Sequence, residues 1–344
     1  MVAKQDLMFC PNMRPMGSLF GAPEHNMEPT LTYNIQAGPM WDWRVAMDLF
    51  LGGAGVGAIL FVILLDAIFH GKYRRICQTG AWVSPILVML GLLFLMAKLG
   101  RPSHIFLTYF NFNPSSPLWW GGIFQPLFVV GSIWYALKWN KAQDNPKDVS
   151  RRALGVVMGV LAVIVGAYHG LLLGVVTARP LWSAGPTVVS AMLSFMATGT
   201  AAVLLVHLIR MRIRGRLNEE EVTRKFFRDM TFARNVIVVS LVLQLGTFFL
   251  WWLSLKTGPL QAQAALEAAT DVYGTTFWFM GIVIGLLLPL IIGVYELTRG
   301  GMKSVSRQSA ILSATCLLIL IGGYYFRLTV VLGGQVPLPV ASLN

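Results

Sequence analysis

The chain has 344 residues, of which 56% are hydrophobic and only 12% charged, with a formal net charge of +12. Soluble domains are about a quarter charged, so this composition and a mean hydropathy of +0.64 argue against a water-soluble protein and for a polytopic membrane protein. The three cysteines, Cys10, Cys77 and Cys316, stand far apart with no CxxC, CxxCH or Cys/His cluster, which argues against an iron–sulfur cluster, a c-type haem or a structural zinc in this chain.

The opening MVAKQDLMFCPNMRPMGS has neither a continuous apolar core nor an A-x-A site, so it does not read as a signal peptide. With its prolines and mixed polar residues, the stretch 1–43 reads as an extended arm outside the bilayer. From there eight segments offer the roughly 20 apolar residues that a membrane crossing needs: 45–69, 77–98, 118–138, 153–176, 186–209, 234–255, 274–297 and 308–332. Six of the seven connections are short. The exception, 210–233, is basic and reads as an amphipathic surface helix. The membrane domain thus spans 44–335, followed by a short tail, 336–344.

Lysine and arginine fall unevenly on the two sides. Seven lie in the arm, the connections after spans 2, 4 and 6, and the tail; 19 lie in the other four connections; Arg327 is inside the last span. Short cytoplasmic loops carry the excess of positive charge, so both termini are expected on the outer side of the membrane. The basic balance is then a topology signal, and nucleic-acid binding is not implied. The openings AMDLFLGGAGVGAIL (46–60) and AMLSFMATGTAAVLL (191–205) share A-M-x-x-F and a run of small residues, which suggests two parallel four-helix halves. The expected fold is all-α, with eight transmembrane helices in two four-helix bundles.

Ionisable residues inside spans are costly and are functional candidates by default. Asp66, His207 and Glu296 lie near the cytoplasmic ends, where solvation explains them and a proton half-channel is the alternative reading. Lys98 lies at an outer end and can snorkel. Asp48, Tyr168, His169 and Arg327 share another level: Tyr168 stands about 22 Å along span 4 in a core of about 30 Å. A hydroxyl, an imidazole and a carboxylate at one depth can bond quinone oxygens and handle protons. Gly166, Gly170 and Gly174 on span 4, and Gly52, Gly53, Gly55 and Gly57 on span 1, would let a helix or a flat ligand approach closely. A b-type haem needs two facing histidines at one depth, and His169 and His207 do not share one. The outer loops 101–122 and 179–186 are aromatic, with few charges, and suit a protein partner.

MWDWRVAMDLFLGGAGVGA, LGRPSHIF, NPSSPLWWG, YHGLLLGVVTARPLW and FRLTVVLGGQ together resemble the polysulfide reductase membrane-subunit family (NrfD-like), in order from about residue 40 to residue 335. The resemblance implies an eight-helix anchor that binds menaquinone or ubiquinone and holds no haem or iron–sulfur cluster of its own. It implies as partners a four-cluster ferredoxin-like iron–sulfur subunit and a molybdopterin-type (molybdenum or tungsten) catalytic subunit on the outer face, at the cytoplasmic membrane of a bacterium or archaeon. Tyr168 stands where a characterised member has a quinone-contacting tyrosine. Asp48 replaces a contacting histidine there, Val45 an asparagine, and His169 a proline. The expected site is therefore Tyr168, Asp48 and His169, with Arg327 holding an oxygen or orienting Asp48. Trp41, Trp43, Trp119, Trp120 and Trp182 are expected at the pocket mouth or the docking surface. A secondary transporter is the rival class, since parallel halves and buried charges occur there too. Pro289 is the only mid-span breaker in spans 4 to 8.

Overall fold

A computed structural model of the protein describes residues 41–98, 110, 113–141, 148–176, 178–183, 186–215, 230–298 and 305–337. Most of the N-terminal arm, most of the loop 101–112, the middle of 210–233 and most of the tail lie outside the described residues. Among those described, the chain is helical and has no strand: α1 Trp43–Phe69, α2 Arg74–Lys98, α3 Pro117–Lys141, α4 Val149–Gly174, α5 Pro180–Ser183, α6 Pro186–Ile213, α7 Thr231–Lys256, α8 Leu260–Thr275, a π-helical segment Thr276–Leu287, α9 Leu288–Thr298 and α10 Val305–Gly333. Among the described residues eight helices are long and apolar enough to cross a membrane, as the hydropathy pattern requires.

Local chemistry sets the ends. The Asp42 carboxylate caps α1 by accepting the Arg44 backbone N–H at 2.9 Å, and Asp148 caps α4 through the Arg151 N–H at 3.2 Å; both satisfy donors that a helix N-terminus leaves orphaned. At the other end of α1, His70 takes the left-handed conformation (φ 52°) and donates its N–H to the Asp66 carbonyl. With Gly71 at φ 82° it turns the chain into α2 within four residues.

The helix α1 is central. Of its apolar stretch 78% is buried, against 33–61% for the other seven spans. Its small residues explain why. Gly55 lies against Ser84 and Val88 of α2, and Gly57 against the Phe195 backbone of α6. Gly199 of α6 in turn lies against Ala54, Gly57 and Ala58. The two segments that share A-M-x-x-F thus meet as the central seam between one group, α1–α4, and another, α6–α10. Small residues allow such backbone approach where lipid offers no hydrophobic drive for helix association.

Span 7 departs from expectation. Instead of 274–297, the helical run is Leu260–Thr298, 39 residues. The added helix α8, LQAQAALEAATDVYGT, is too polar to register as a span, yet it is rich in good helix formers. It buries Ala262, Ala265 and Ala269 and packs on α5, α7 and α10. The end of the π-helical segment that follows has an identifiable cause. Pro289 has no N–H and its ring collides with the carbonyl four residues back. The turn before it widens, and Leu288 donates to Val283, five residues back, the pattern of a π-bulge.

Candidate functional site

The start of α1 and the end of α10 meet at one end of the bundle. Trp41 donates its N–H to Gln335 Oε1 at 2.8 Å, and Gln335 Nε2 donates back to the Trp41 carbonyl at 2.7 Å. Trp41 stacks on Trp182 with ring centroids 5.1 Å apart, and the Trp182 indole donates to the Val330 carbonyl at 2.7 Å. These two tryptophans therefore join α1, α5 and α10. Beside them Lys98 pairs with Asp42 at 3.2 Å and Arg44 donates to the Ala97 carbonyl. This end, here called the terminal face, is the level of Asp48, Tyr168 and Arg327.

Asp48 lies one and a half turns into α1. It is 2% exposed, and its Oδ1 has no hydrogen-bond partner. That oxygen sits over Gly91 of α2, where an added Cβ would stand 3.0 Å from it. Among the described residues Asp48 pairs with no cation. Tyr168, on α4, is buried as well. Its ring and hydroxyl rest on Gly121 of α3, where an added Cβ would collide with them. The Tyr168 hydroxyl makes no hydrogen bond among the described residues. Glycines on α2 and α3 thus make room for the two groups, which are held in a four-helix setting by packing and not by polar partners. Gly91 has no sequence signal of this role beyond its smallness, and Gly121 closes the NPSSPLWWG stretch without anything there marking it as the seat of Tyr168.

His169 is placed differently. Its Nδ1–H donates to the Val165 carbonyl, one turn back, at 2.7 Å, which leaves Nε2 as the acceptor. Gln125 of α3 fills that position with its amide N–H at 3.2 Å. The ring lies against Gly52 of α1, where a Cβ would come within 2.5 Å of Nε2. It meets the rings of Tyr168 and Phe195 edge-on, at 5.5 and 6.1 Å. Both nitrogens of this imidazole are engaged, so it joins α1, α3, α4 and α6 while touching the Tyr168 ring. Gln125 was not singled out from the sequence, where a glutamine in a span looks like any other polar exception.

Arg327 is brought to the same level but into a different compartment. Its Nη1 donates to the Gly323 carbonyl, and its plane lies between the rings of Phe50 and Phe195, at 5.5 and 5.0 Å. These are the two phenylalanines of the shared A-M-x-x-F openings. Arg327 faces a cavity between α1, α4, α6, α7 and α10 that neither Tyr168 nor Asp48 lines. Orientation of Asp48 by Arg327 finds no ion pair in the structure.

At the opposite end the three candidate proton-path residues have separate partners. Asp66 is not solvated, as its position near a span end suggested: it is 3% exposed and receives Arg151 Nε and Nη2 at 3.1 and 3.0 Å, with the Trp139 ring 4.3 Å from the guanidinium carbon. The reason is that Arg151 stands in the first turn of α4, level with the last turn of α1. His207 Nδ1 is 3.1 Å from the Thr79 hydroxyl. Glu296 lies 3.7 Å from Arg234. Among the described residues no group of His, Cys, Asp and Glu is arranged to hold a metal.

Comparison with known proteins agrees with this architecture. The family model for polysulphide reductase, NrfD, matches residues 31–339. The chain is 28% identical to Protein NrfD of Escherichia coli over 319 residues, covering 86% of this chain and 95% of that protein. It is 25% identical to a polysulfide reductase polypeptide of Wolinella succinogenes, over 86% of this chain and 94% of that protein. A selenate reductase subunit from Mesobacillus selenatarsenatis is 22% identical over 48% of this chain and 47% of that protein. With eight membrane-length helices and a match over most of its length, the chain belongs to the NrfD, polysulphide reductase, family of integral membrane proteins.

Proposed function

We propose that this chain is the membrane anchor of a multi-subunit oxidoreductase and that it binds a quinone or quinol at the Tyr168–Asp48 face. The observation that carries the reading is the buried Asp48 carboxyl, whose Oδ1 has no partner, together with the buried Tyr168 hydroxyl, the first lying against Gly91 of α2 and the second against Gly121 of α3. A buried polar atom without a partner costs roughly 1–3 kcal/mol. A membrane protein keeps such a group where a ligand or proton completes it. The residues fit a quinone: a hydroxyl donor for a carbonyl oxygen and a carboxyl that accepts from a hydroquinone hydroxyl.

A bound quinol supplies two electrons and two protons. On the protein side, Tyr168 orients the ring by donating its O–H. Asp48 takes up a proton at Oδ1. His169, with both nitrogens engaged, fixes the edge of the Tyr168 ring, and Gln125 fixes His169. The terminal face lies outward, in the cytoplasmic membrane of a bacterium or archaeon. An iron–sulfur subunit docks there, and through it electrons reach or leave a molybdenum or tungsten catalytic subunit. The names of the relatives from Wolinella and Mesobacillus, both components of reductases, support this assembly.

The test is Tyr168→Phe in the intact complex. Quinone-linked turnover is expected to fall at least tenfold, with dye-linked turnover of the same preparation within twofold of wild type. Unchanged quinone-linked turnover would remove Tyr168 from the site.

A further inference from the structure

Lys138 and Lys141 differ from the other basic groups at the end of the bundle opposite the terminal face. There Arg151 is neutralised by Asp66, Arg234 lies 3.7 Å from Glu296, and Arg210 donates to the Thr79 hydroxyl. Among the described residues no carboxylate comes within ion-pair distance of either lysine; Asp148, at the start of α4, is turned to the Arg151 backbone N–H. Lys138 Nζ donates to the Ser150 hydroxyl of α4 at 3.0 Å. This bond holds the ammonium over the seam between α3 and α4 and leaves it two further N–H groups. Lys141, one turn on, is exposed at the end of α3. One turn before Lys138, about 6 Å deeper along the helix, Trp134 is 58% exposed. In a membrane span exposure means contact with lipid. The Trp134 indole N–H has no partner among the described residues, and hydrocarbon cannot satisfy it. Trp134, Lys138 and Lys141 follow at i, i+4 and i+7 and so share one face of α3. Deeper still the surface is apolar, with Val130 of α3 and Val157 of α4, two turns from Ser150 on the same helix face, both exposed.

Snorkelling and an aromatic belt account for a lysine or a tryptophan at a membrane edge taken singly. They do not account for an ammonium fixed by a hydroxyl of the next helix, with a second uncompensated ammonium beyond it and an indole N–H facing lipid below it. We infer that the lipid-facing seam of α3 and α4 is a site for an anionic glycerophospholipid. The phosphate accepts from Lys138 Nζ and from the Ser150 O–H, and Lys141 meets the remaining negative charge. An ester carbonyl accepts from Trp134, and an acyl chain runs along Val130 and Val157. Basic groups between transmembrane helices recognise anionic headgroups in this way. A free phosphate would leave the indole and the apolar stripe unused, and a zwitterionic headgroup would bring its own ammonium against Lys141. Because Ser150 already holds Lys138, little ordering is needed on binding. The site does not depend on the reading of the Tyr168–Asp48 face.

The test is native mass spectrometry of the full-length chain, with the subunits that accompany it, released from nanodiscs of phosphatidylethanolamine and phosphatidylglycerol. On wild type, phosphatidylglycerol is expected to stay bound after phosphatidylethanolamine is lost. Lys138→Gln is expected to lower retained phosphatidylglycerol about fivefold, the effect of one lysine at a charged headgroup. Trp134→Phe keeps a ring and loses the N–H, and is expected to lower retention by a smaller factor. Both side chains lie at the surface, so both variants keep the fold. Lys72→Gln removes a charge at the same end, where Lys72 lies over the Tyr73 ring, and should match wild type. Equal retention of the two lipids on wild type would overturn the inference, as would phosphatidylglycerol retention unchanged in both Lys138→Gln and Trp134→Phe. A loss in Lys72→Gln equal to that in Lys138→Gln would overturn it as well, since general attraction to the basic end would then suffice.

Discussion

Gln125 donates its side-chain amide to Nε2 of His169 at 3.2 Å, while Nδ1–H of the same ring is spent on the Val165 carbonyl. This pair fixes the tautomer of the most conspicuous histidine in the chain and makes it a positioning residue for Tyr168. Gln125→Leu leaves a buried ring nitrogen unpaired, at a cost of about 1–3 kcal/mol. The variant complex is expected to melt several degrees lower and to lose quinone-linked turnover, mainly through a raised KM. Gln125→Asn, which keeps the amide on a shorter arm, should recover part of both. Equal KM values in wild type and Gln125→Leu would show that the pair does not position the site.

Gly121 and Gly91 are expected to be intolerant for a specific reason. A Cβ at Gly121 collides with the Tyr168 ring, and one at Gly91 crowds Asp48 Oδ1. Gly121→Ala is expected to assemble, because the tyrosine ring can swing away, yet to show the turnover defect of Tyr168→Phe. Gly246→Ala, where a Cβ meets nothing within 4 Å, serves as the control and should match wild type. A Gly121→Ala complex with normal quinone-linked turnover would contradict the packing described for Tyr168.

The Asp66–Arg151 pair makes a stability prediction. Both partners are almost fully buried, and the contact is bidentate. Removing one partner strands the other charge, which typically costs about 3–5 kcal/mol. Asp66→Asn and Arg151→Met are each expected to lower the detergent melting temperature sharply, while the double variant Asp66→Leu with Arg151→Met recovers much of the loss. Dye-linked turnover of the assembled fraction should persist in all three. If the double variant is less stable than either single one, the pair is not the coupled unit its geometry indicates.

The two ends of the membrane domain are tied by the reciprocal Trp41–Gln335 bonds. Gln335→Ala removes both, for about 1–3 kcal/mol of local stability. Hydrogen exchange should speed up around 41–45 and 330–335 while the centre of α1 stays protected. Unchanged exchange at both ends would show that the tryptophan stack alone holds them.

Much of the fold was legible in the sequence because hydropathy and length decide how many helices can span a bilayer. All eight spans are found, and the shared A-M-x-x-F openings mark the helices that form the central seam. What escaped was α8, whose alanine-rich face is apolar only on one side, and the π geometry before Pro289, which depends on hydrogen-bond register. Depth counting placed Asp48, Tyr168, His169 and Arg327 at one level, and they are there. It could not tell which face of a helix each side chain takes. That is why Arg327 turns out to face a separate cavity, why Asp66 is closed by Arg151 when solvent was expected, and why Gln125, Gly91 and Gly121 went unnoticed. Partners across helices are set by tertiary packing, and no single segment encodes them.

The most direct test of a quinone site at Asp48 and Tyr168 is photolabelling of the intact complex with an azidoquinone, followed by peptide mapping. The label is expected on the segments of α1, α2, α3 or α4 around Asp48, Gly91, Gly121 and Tyr168, and to be displaced by excess quinone. Label absent from all four of these segments would contradict the site.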